Sequence, residues 1–414
     1  MTTTRPARRV LRLAASACAL VGILCVAACQ APPPAAPVAK LSQEVLSLDQ
    51  AVAFATDSLA AQSQPPAPAP SLRDLLGSKE APSKRSVLLD PSLDSASGQQ
   101  TALTRLLDQK IGDRLRSQHP VFDVLPFQQT SLAKAQVLLV ATIARLEVGR
   151  GSYQIQMALT DLKTGQVVAQ ATAQARDEGF DTTPTPYYRD TPVLLLKDQV
   201  VEGYVRTSRT PPGQKADPAY LERVNAATMI GEATTHYDNE RYREALGLYR
   251  GALETPAGEQ MRAINGVYLT NWKLGHMGEA EQAFGKLVAL GLANQNLGVK
   301  FLFNPGTTDF WSDPKINGPY GLWLRQIARQ AAGARVCLDV VGHTSRTGSE
   351  PFNDRLSAQR AATIQRKLEA EAAPLAGRMK SSGVGWRENL IGTGTDDASD
   401  SLDRRVEFKI KACD

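Results

Sequence analysis

The chain has little from which to build a metal centre. Its four histidines (His119, His236, His276, His343) are scattered without an HExxH pair, and its five cysteines include no CxxC. Zinc sites need closely spaced ligands of those types, so no metal site is expected. Catalytic signatures are equally sparse. GTGTDDASD (392–400) has glycines but no Lys-Ser/Thr pair, so it is not a phosphate loop. GHTSRTG (342–348) is not a GxSxG elbow. Ser345 follows His343 too closely to suggest an activated nucleophile, and no third orienting group is evident. The carboxylates form no identifiable acid/base pair. The expectation is a binding protein without a cofactor, not an enzyme. Charge of one sign is lacking too. The formal net charge of the 414 residues is +5, and Arg5, Arg8, Arg9 and Arg12 lie in a start that has no acid before Cys29. Without those four, the body carries about +1, which excludes the concentrated basic surface that nucleic acid requires.

What is present begins with a leader. A basic, acid-free start (1–12) precedes an apolar, small-residue run, LAASACALVGILCVAA (13–28). That pattern is a secretory signal, and the run is short of the roughly 20 residues of a bilayer span. An uncleaved anchor helix is the alternative. The run ends Val26-Ala27-Ala28-Cys29, which resembles the bacterial lipoprotein lipobox. The resemblance implies that 1–28 are removed, that Cys29 becomes a lipidated amino terminus, and that Gln30, where enteric lipoproteins retained in the inner membrane have Asp, directs the protein to the outer membrane facing the periplasm. Multiple acyl chains anchor far better than one, since each buried methylene contributes about 0.8 kcal/mol.

Residues 29–84 read as a tether. Pro-Ala tracts at 30–40 and 63–71 are extended and cannot pack a core. Between them, 46–62 space Leu46, Ala51, Val52, Phe54, Ala55 and Leu59 as an amphipathic helix. It is expected to dock on its own chain; a partner is the alternative. Residues 85–212 read as strand (85–90), helix (101–118), a second strand at HPVFDVLPF, and a three-stranded meander at 135–148, 152–161 and 166–176. This order resembles the amino-terminal fold of TolB and of CsgG/LpoB-type lipoproteins, which implies a protein-contact module; an unrelated small α+β domain gives the same pattern. Residues 177–217, rich in Pro, Thr and Tyr, read as a long connection.

From 218 to 294 the pattern is helical. YREALGLYRGAL (242–253) and MGEAEQAFGKLV (277–288) align at a 35-residue offset that superposes Ala245 on Ala280 and Tyr249 on Phe284. This resembles tetratricopeptide repeats, whose period is about 34. Two repeats need flanking helices or the next domain as a cap; an ordinary pair of helical hairpins is the alternative. The chain is therefore expected to be multidomain α+β.

Residues 298–414 read as β-α-β-α-β-β. The words GHTSRTG, FNDRLSAQRA and LDRRVEFKI resemble the OmpA-like peptidoglycan-binding domain. The resemblance implies recognition of meso-diaminopimelate in the wall's stem peptide, with a donor fork for its carboxylate and an acceptor for its ammonium. It places the ligand set at Asn304, Thr344, Ser345, Asn353, Leu356, Arg360 and Arg405, with Arg360, of LSxxRA, as the fork near a helix N-terminus. Two positions depart from the family: Ser345 stands where GHTD has Asp, and Asn304 where the first strand has Asp. A neutral acceptor is roughly half as strong as a charged one, so the change costs about 1–3 kcal/mol of affinity. Glu350, Asp354, Asp396 and Asp397 are the acids that could compensate. Structural readings stand beside these: Leu356 as core, Asn353 as a helix-start residue, Arg405 in an ion pair. The expected function is an outer-membrane lipoprotein that grips peptidoglycan and scaffolds periplasmic proteins; the alternative is an envelope scaffold whose domain no longer binds the wall.

Once Cys18 and Cys25 leave with the leader and Cys29 carries lipid, Cys337 and Cys413 remain. Cys337 opens one strand and Cys413 closes the last, so antiparallel neighbours would bring them together as a disulfide worth about 2–4 kcal/mol. The alternative is two separately buried thiols. Thiol titration of the oxidised, unfolded protein is expected to find neither residue free; two free thiols would reject the bond.

Overall fold

The computed structural model describes residues 40–63, 84–146, 151–196, 198–392, 394, 399–411 and 413. The leader, Cys29 and both Pro-Ala tracts up to 39 and from 64 to 83 lie outside the described residues, as do Asp396 and Asp397. Among the described residues no helix is long and apolar enough to cross a membrane.

The first layer starts at β1 (Lys40–Leu46) and α1 (Leu48–Ser63), followed by β2 (Arg85–Leu89), β3 (Leu93–Asp94), α2 (Ala102–Gln118), β4 (Phe122–Leu125), α3 (Gln129–Leu132), β5 (Val137–Arg145), β6 (Ser152–Asp161) and β7 (Val167–Arg176). The strands form one sheet in the order β1-β7-β6-β5-β2-β4, with β3 beside β5. The meander β5-β6-β7 is antiparallel; β2 lies parallel to both β4 and β5. The period of two sorts β5 between two cores. Val137, Leu139, Ala141 and Ile143 face α1 and α2, while Leu138 and Val140 face the other side. On β7 the inward residues are Ala169, Ala171, Ala173 and Ala175. Their small side chains let Ala51, Ala55 and Ala60 of α1 come close.

Two polar locks fix α1. Asp57 accepts from Arg114 Nε (2.8 Å) and Nη2 (2.5 Å) and lies 2.7 Å from His119 Nε2. Gln62 donates to the carbonyl of Gln170 (2.9 Å) and accepts from its N–H (3.2 Å), mimicking a strand partner. Within the stretch 29–84, read as a tether with one amphipathic helix, the described residues form a strand, Lys40–Leu46, and a helix, Leu48–Ser63, that packs on its own chain's sheet. β1 was unreadable because KLSQEVL alternates too weakly; its pairing with β7 makes it a strand.

The expected connection after β7 holds two helices, α4 (Pro186–Asp190) and α5 (Gln199–Arg209). Helix α5 covers the sheet's second face with Val200, Val201 and Tyr204. The Tyr204 hydroxyl bonds β5 at Ala141, 3.1 Å from its nitrogen and 2.9 Å from its oxygen. The β-branched pair and Gly203 lower helix propensity, and tertiary burial overrides it. Between these helices, Leu194 N–H donates to Gly298 (2.9 Å) and Lys300 N–H to Pro192 (2.8 Å). The segment thereby covers the edge of the carboxy-terminal sheet.

After α6 (Pro218–Leu221) come four antiparallel helices: α7 (Val224–Asp238), α8 (Tyr242–Glu254), α9 (Met261–Leu274) and α10 (Met277–Ala293). The aligned words fall on α8 and α10. Gly266 explains how closely α9 approaches α8: a Cβ there would lie 2.4 Å from the Tyr249 ring. The last part contains β8 (Leu297–Val299), α11 (Pro314–Asn317), α12 (Tyr320–Ala334), β9 (Cys337–Gly342), α13 (Glu350–Glu371), β10 (Met379–Gly383) and β11 (Val406–Lys411). Its sheet order is β10-β9-β11-β8. Helix α12 packs on α10. Phe284 stacks on Trp323 with centroids 5.8 Å apart, and Trp323 Nε1 donates to the Tyr268 hydroxyl at 2.7 Å. One hydrophobic core therefore runs from Tyr187 to Phe408. Strand β11 is antiparallel to β9, Lys411 opposite Cys337, and a disulfide joins Cys337 to Cys413 with Cα atoms 5.1 Å apart.

Asp90, at the end of β2, is buried and accepts from the Tyr220 hydroxyl at 2.5 Å. Burial pushes its pKa up to about 7, against the opposing hydrogen bond from Tyr220. A raised carboxyl pKa means that the folded state holds a proton the unfolded state has lost. The stabilising contribution is complete below about pH 4 and fades as pH rises through 7. Asp90 is expected to contribute about 2–4 kcal/mol to a fall in stability over that window, beside Asp108, which burial also pushes up to about 7, so Asp90→Asn should lessen the fall without removing it. Urea titrations at several pH values read this; an unchanged slope in the variant would reject it.

Candidate functional site

Strands β8 and β9 both run antiparallel to β11, and β10 runs parallel to β9. Three strand ends therefore open at one edge of the carboxy-terminal sheet. From them spring the loops at 300–311, 343–349 and 384–392, and the N-terminus of α13 faces the same edge.

Arg360, in the third turn of α13, is only 5% exposed. Its Nε donates to the Thr307 carbonyl (3.1 Å) and Nη2 to the Asn304 carbonyl (3.2 Å). Its guanidinium carbon sits 4.9 Å from the centroid of the Phe303 ring. The Asn304 carbonyl also accepts from Thr307 N–H at 3.1 Å, closing the turn. Arg360 and Asn304 are thus brought together, but through the backbone of Asn304. Thr344 is buried; its N–H donates to Gly385 at 2.9 Å, and Gly385 N–H donates to Ser357 Oγ at 3.0 Å, one turn before Arg360. Among the described residues Thr344 Oγ1 has no hydrogen-bond partner. Ser345 is buried beside it.

The remaining predicted residues support these. Asn353 donates to the carbonyls of Thr347 (2.9 Å) and Ser349 (3.3 Å), tying the second loop to the start of α13. Leu356 is buried. Arg405 is 3% exposed, and its donors go inward: Nε and Nη2 to Glu407 Oε1 (each 2.8 Å), Nη1 to the Leu402 carbonyl (3.3 Å), Nη2 also to Glu388 (3.1 Å). The Arg405 guanidinium is therefore a strut inside the fold. Of the acids considered as compensators, Glu350 and Asp354 both face Arg387, at 3.1 and 2.6 Å.

The OmpA family model matches residues 302–401. Residues 302–401 are an OmpA-family domain. No curated protein matches the chain. Solved structures similar to it include the peptidoglycan-associated lipoprotein of Burkholderia pseudomallei, at 21% identity over 28% of this chain and 89% of that one (TM-score 0.23). The cell wall anchor of the T6SS from Pseudomonas aeruginosa is 21% identical over 28% and 80% (TM-score 0.24). The periplasmic domain of Helicobacter pylori MotB is 21% identical over 28% and 74% (TM-score 0.23).

The OmpA-family domain also uses residues that sequence reasoning passed over. Phe303 offers the ring under Arg360. Asp403 is buried and accepts from the N–H groups of Leu390 (2.7 Å), Ile391 (3.1 Å) and Gly392 (2.8 Å), which shapes the third loop. Burial pushes its pKa up, and those three donors oppose the shift. Its place in LDRR was the available signal. His343, Glu388 and Glu407 bring ligand atoms within 4.8 Å of one another. They come from three separate segments, so spacing along the chain gave no sign of them. The Arg405 guanidinium on Glu407 opposes a cation there.

Arg405→Ala would remove the guanidinium that donates twice to the buried Glu407 carboxylate. The expected loss is about 3–5 kcal/mol of unfolding free energy, read by urea denaturation. A loss below 1 kcal/mol would show that the pair is solvated.

Proposed function

We propose that the OmpA-family domain holds peptidoglycan non-covalently and so ties this protein to the cell wall. The observation that carries the reading is the convergence of Arg360, Thr344 and Ser345 at one sheet edge, with the buried Thr344 hydroxyl unpartnered among the described residues. A buried hydroxyl without a partner costs stability that a ligand can return. The stem-peptide carboxylate would lie toward Arg360, which holds the loop at Asn304 and Thr307 through their carbonyls. Ser345 would accept from the ammonium.

The same proposal assigns the ends of the molecule. Cys29, outside the described residues, would be the lipidated amino terminus in the outer membrane, facing the periplasm. The sheet layer and the tetratricopeptide-like helices would present surfaces to periplasmic partners. The protein would act by binding and not by catalysis. A second reading, an envelope scaffold without a wall ligand, is favoured by the neutral side chains at Asn304 and Ser345.

The test is co-sedimentation of residues 36–414 with peptidoglycan sacculi. The isolated domain is the wrong reagent, because its core is shared with α9 and α10. Wild type is expected to pellet with sacculi and Arg360→Ala to lose at least tenfold in affinity. Ser345→Asp, which restores the charge, should tighten binding by about 5- to 100-fold. No binding by wild type, with binding gained in Ser345→Asp, would establish the scaffold reading instead.

A further inference from the structure

A cavity of about 520 Å³ lies where the helices meet the OmpA-family domain, and it shares no residue with the proposed wall site. Its walls come from α4, α9, the stretch after β8, α11, the start of α12 and the turn before β11. The volume is that of a small-molecule site.

Two features of the lining define what would fit. The first is flat and apolar: Tyr268, Trp272, Trp311, Tyr320 and Trp323 line it. The chain has only four tryptophans, and three of them are here. Tyr320 and Trp323 are buried in the core, whereas Trp311 at the mouth is 36% exposed. The second is charge. Among the described residues the lining holds Arg189, Lys273, Lys300, Lys315 and Arg404 and one acid, Asp190. Asp190 is already engaged by Lys273 (2.8 Å), Arg189 (3.1 Å) and the Tyr237 hydroxyl (2.8 Å). Lys300 is buried, its ammonium donating to the carbonyls of Arg189 (3.0 Å) and Tyr188 (3.4 Å). Lys315 has no acidic partner among the described residues. Helix α12 points its N-terminus here, starting at Pro319 without a capping side chain, which adds partial positive charge.

A hydrophobic contact alone would not set Lys315 and the uncapped start of α12 beside these aromatic walls. We infer that this cavity is a binding site for a small ring-bearing anion, its ring between the aromatic walls and its acidic group toward Lys315 and the start of α12. A flat ring matches the walls by stacking, and the cations exclude positively charged rivals.

The test uses anilinonaphthalene sulfonate as a ring-bearing anion and N-phenylnaphthylamine as its uncharged counterpart, with residues 36–414 at fixed ionic strength. The wild type is expected to bind the sulfonate saturably at one site, with quenching of tryptophan fluorescence. Lys315→Glu should weaken the sulfonate about tenfold and leave the neutral dye within about twofold. Trp311→Ala should weaken both dyes about fivefold. Both residues are exposed, and far-UV circular dichroism checks that the variants fold. Two competitors then separate the sources of such an anion, indoleacetate for aromatic acids and N-acetylmuramic acid for sugar acids. Displacement of the sulfonate by either supports the site and names its class. The inference is overturned if wild type shows no saturable binding, if Lys315→Glu weakens neither dye or both equally, or if decyl sulfate displaces the dye and neither ring acid does.

Discussion

The contact at Trp323 governs how this molecule is put together. Helix α12 carries an apolar face that its own sheet does not cover, and α9 and α10 cover it. Phe284 stacks on the indole and the Tyr268 hydroxyl accepts its N–H, so the buried donor is satisfied within the seam. Strand β8 follows α10 after only three residues, and the segment at 192–194 hydrogen-bonds along its outer edge. The helices, the connection and the OmpA-family domain therefore share one core. A load applied to the domain passes into the helices through packed side chains, with no flexible linker between them. The cavity lies at this junction, lined by α4, α9, α11 and the start of α12.

Much of this was legible along the chain, for physical reasons. The runs at β5, β6 and β7 alternate or stay apolar over nine or ten residues, and Gly151 and Gly165 mark their turns with positive φ. Helix α2 announces itself at Thr101, whose capping box with Thr104 is complete. The legible elements are those whose partners lie nearby in sequence. The illegible ones depend on distant neighbours. β1 becomes a strand by pairing with β7 some 130 residues later, and α5 becomes a helix because the sheet's second face needs cover. β10, MKSSG, has almost no apolar side chain to betray it and is held by its parallel ladder with β9.

At the site, residue identity was easier to read than residue role. Arg360 and Arg405 stand in equally prominent words, yet the structure turns both guanidinium groups toward protein acceptors. Arg378 does the same at the far end of the domain, donating to Val336 and Ala331 carbonyls. Five fixed donors on one planar group suit loops whose carbonyls have no strand partner. Sequence words report that an arginine is present; only three-dimensional placement reports which carbonyls it serves.

That observation changes how the neutral residues at 304 and 345 should be weighed. If Arg360 acted only as a ligand fork, its presence in an intact NDRLSAQRA word would argue directly for wall binding. In this structure the fork also holds the hairpin through the Asn304 and Thr307 carbonyls over the Phe303 ring. A domain that had lost its ligand would still need it. The decisive positions are those whose polar atoms the described residues do not consume, and Thr344 Oγ1 is one of them. Its hydroxyl is buried beside Ser345 at the end of β9, where a valine of equal size would fill the space without the cost of an unmatched polar atom. A hydroxyl at that place is intelligible as a group waiting for a ligand, and this weighs toward the wall-binding reading more than the arginine does.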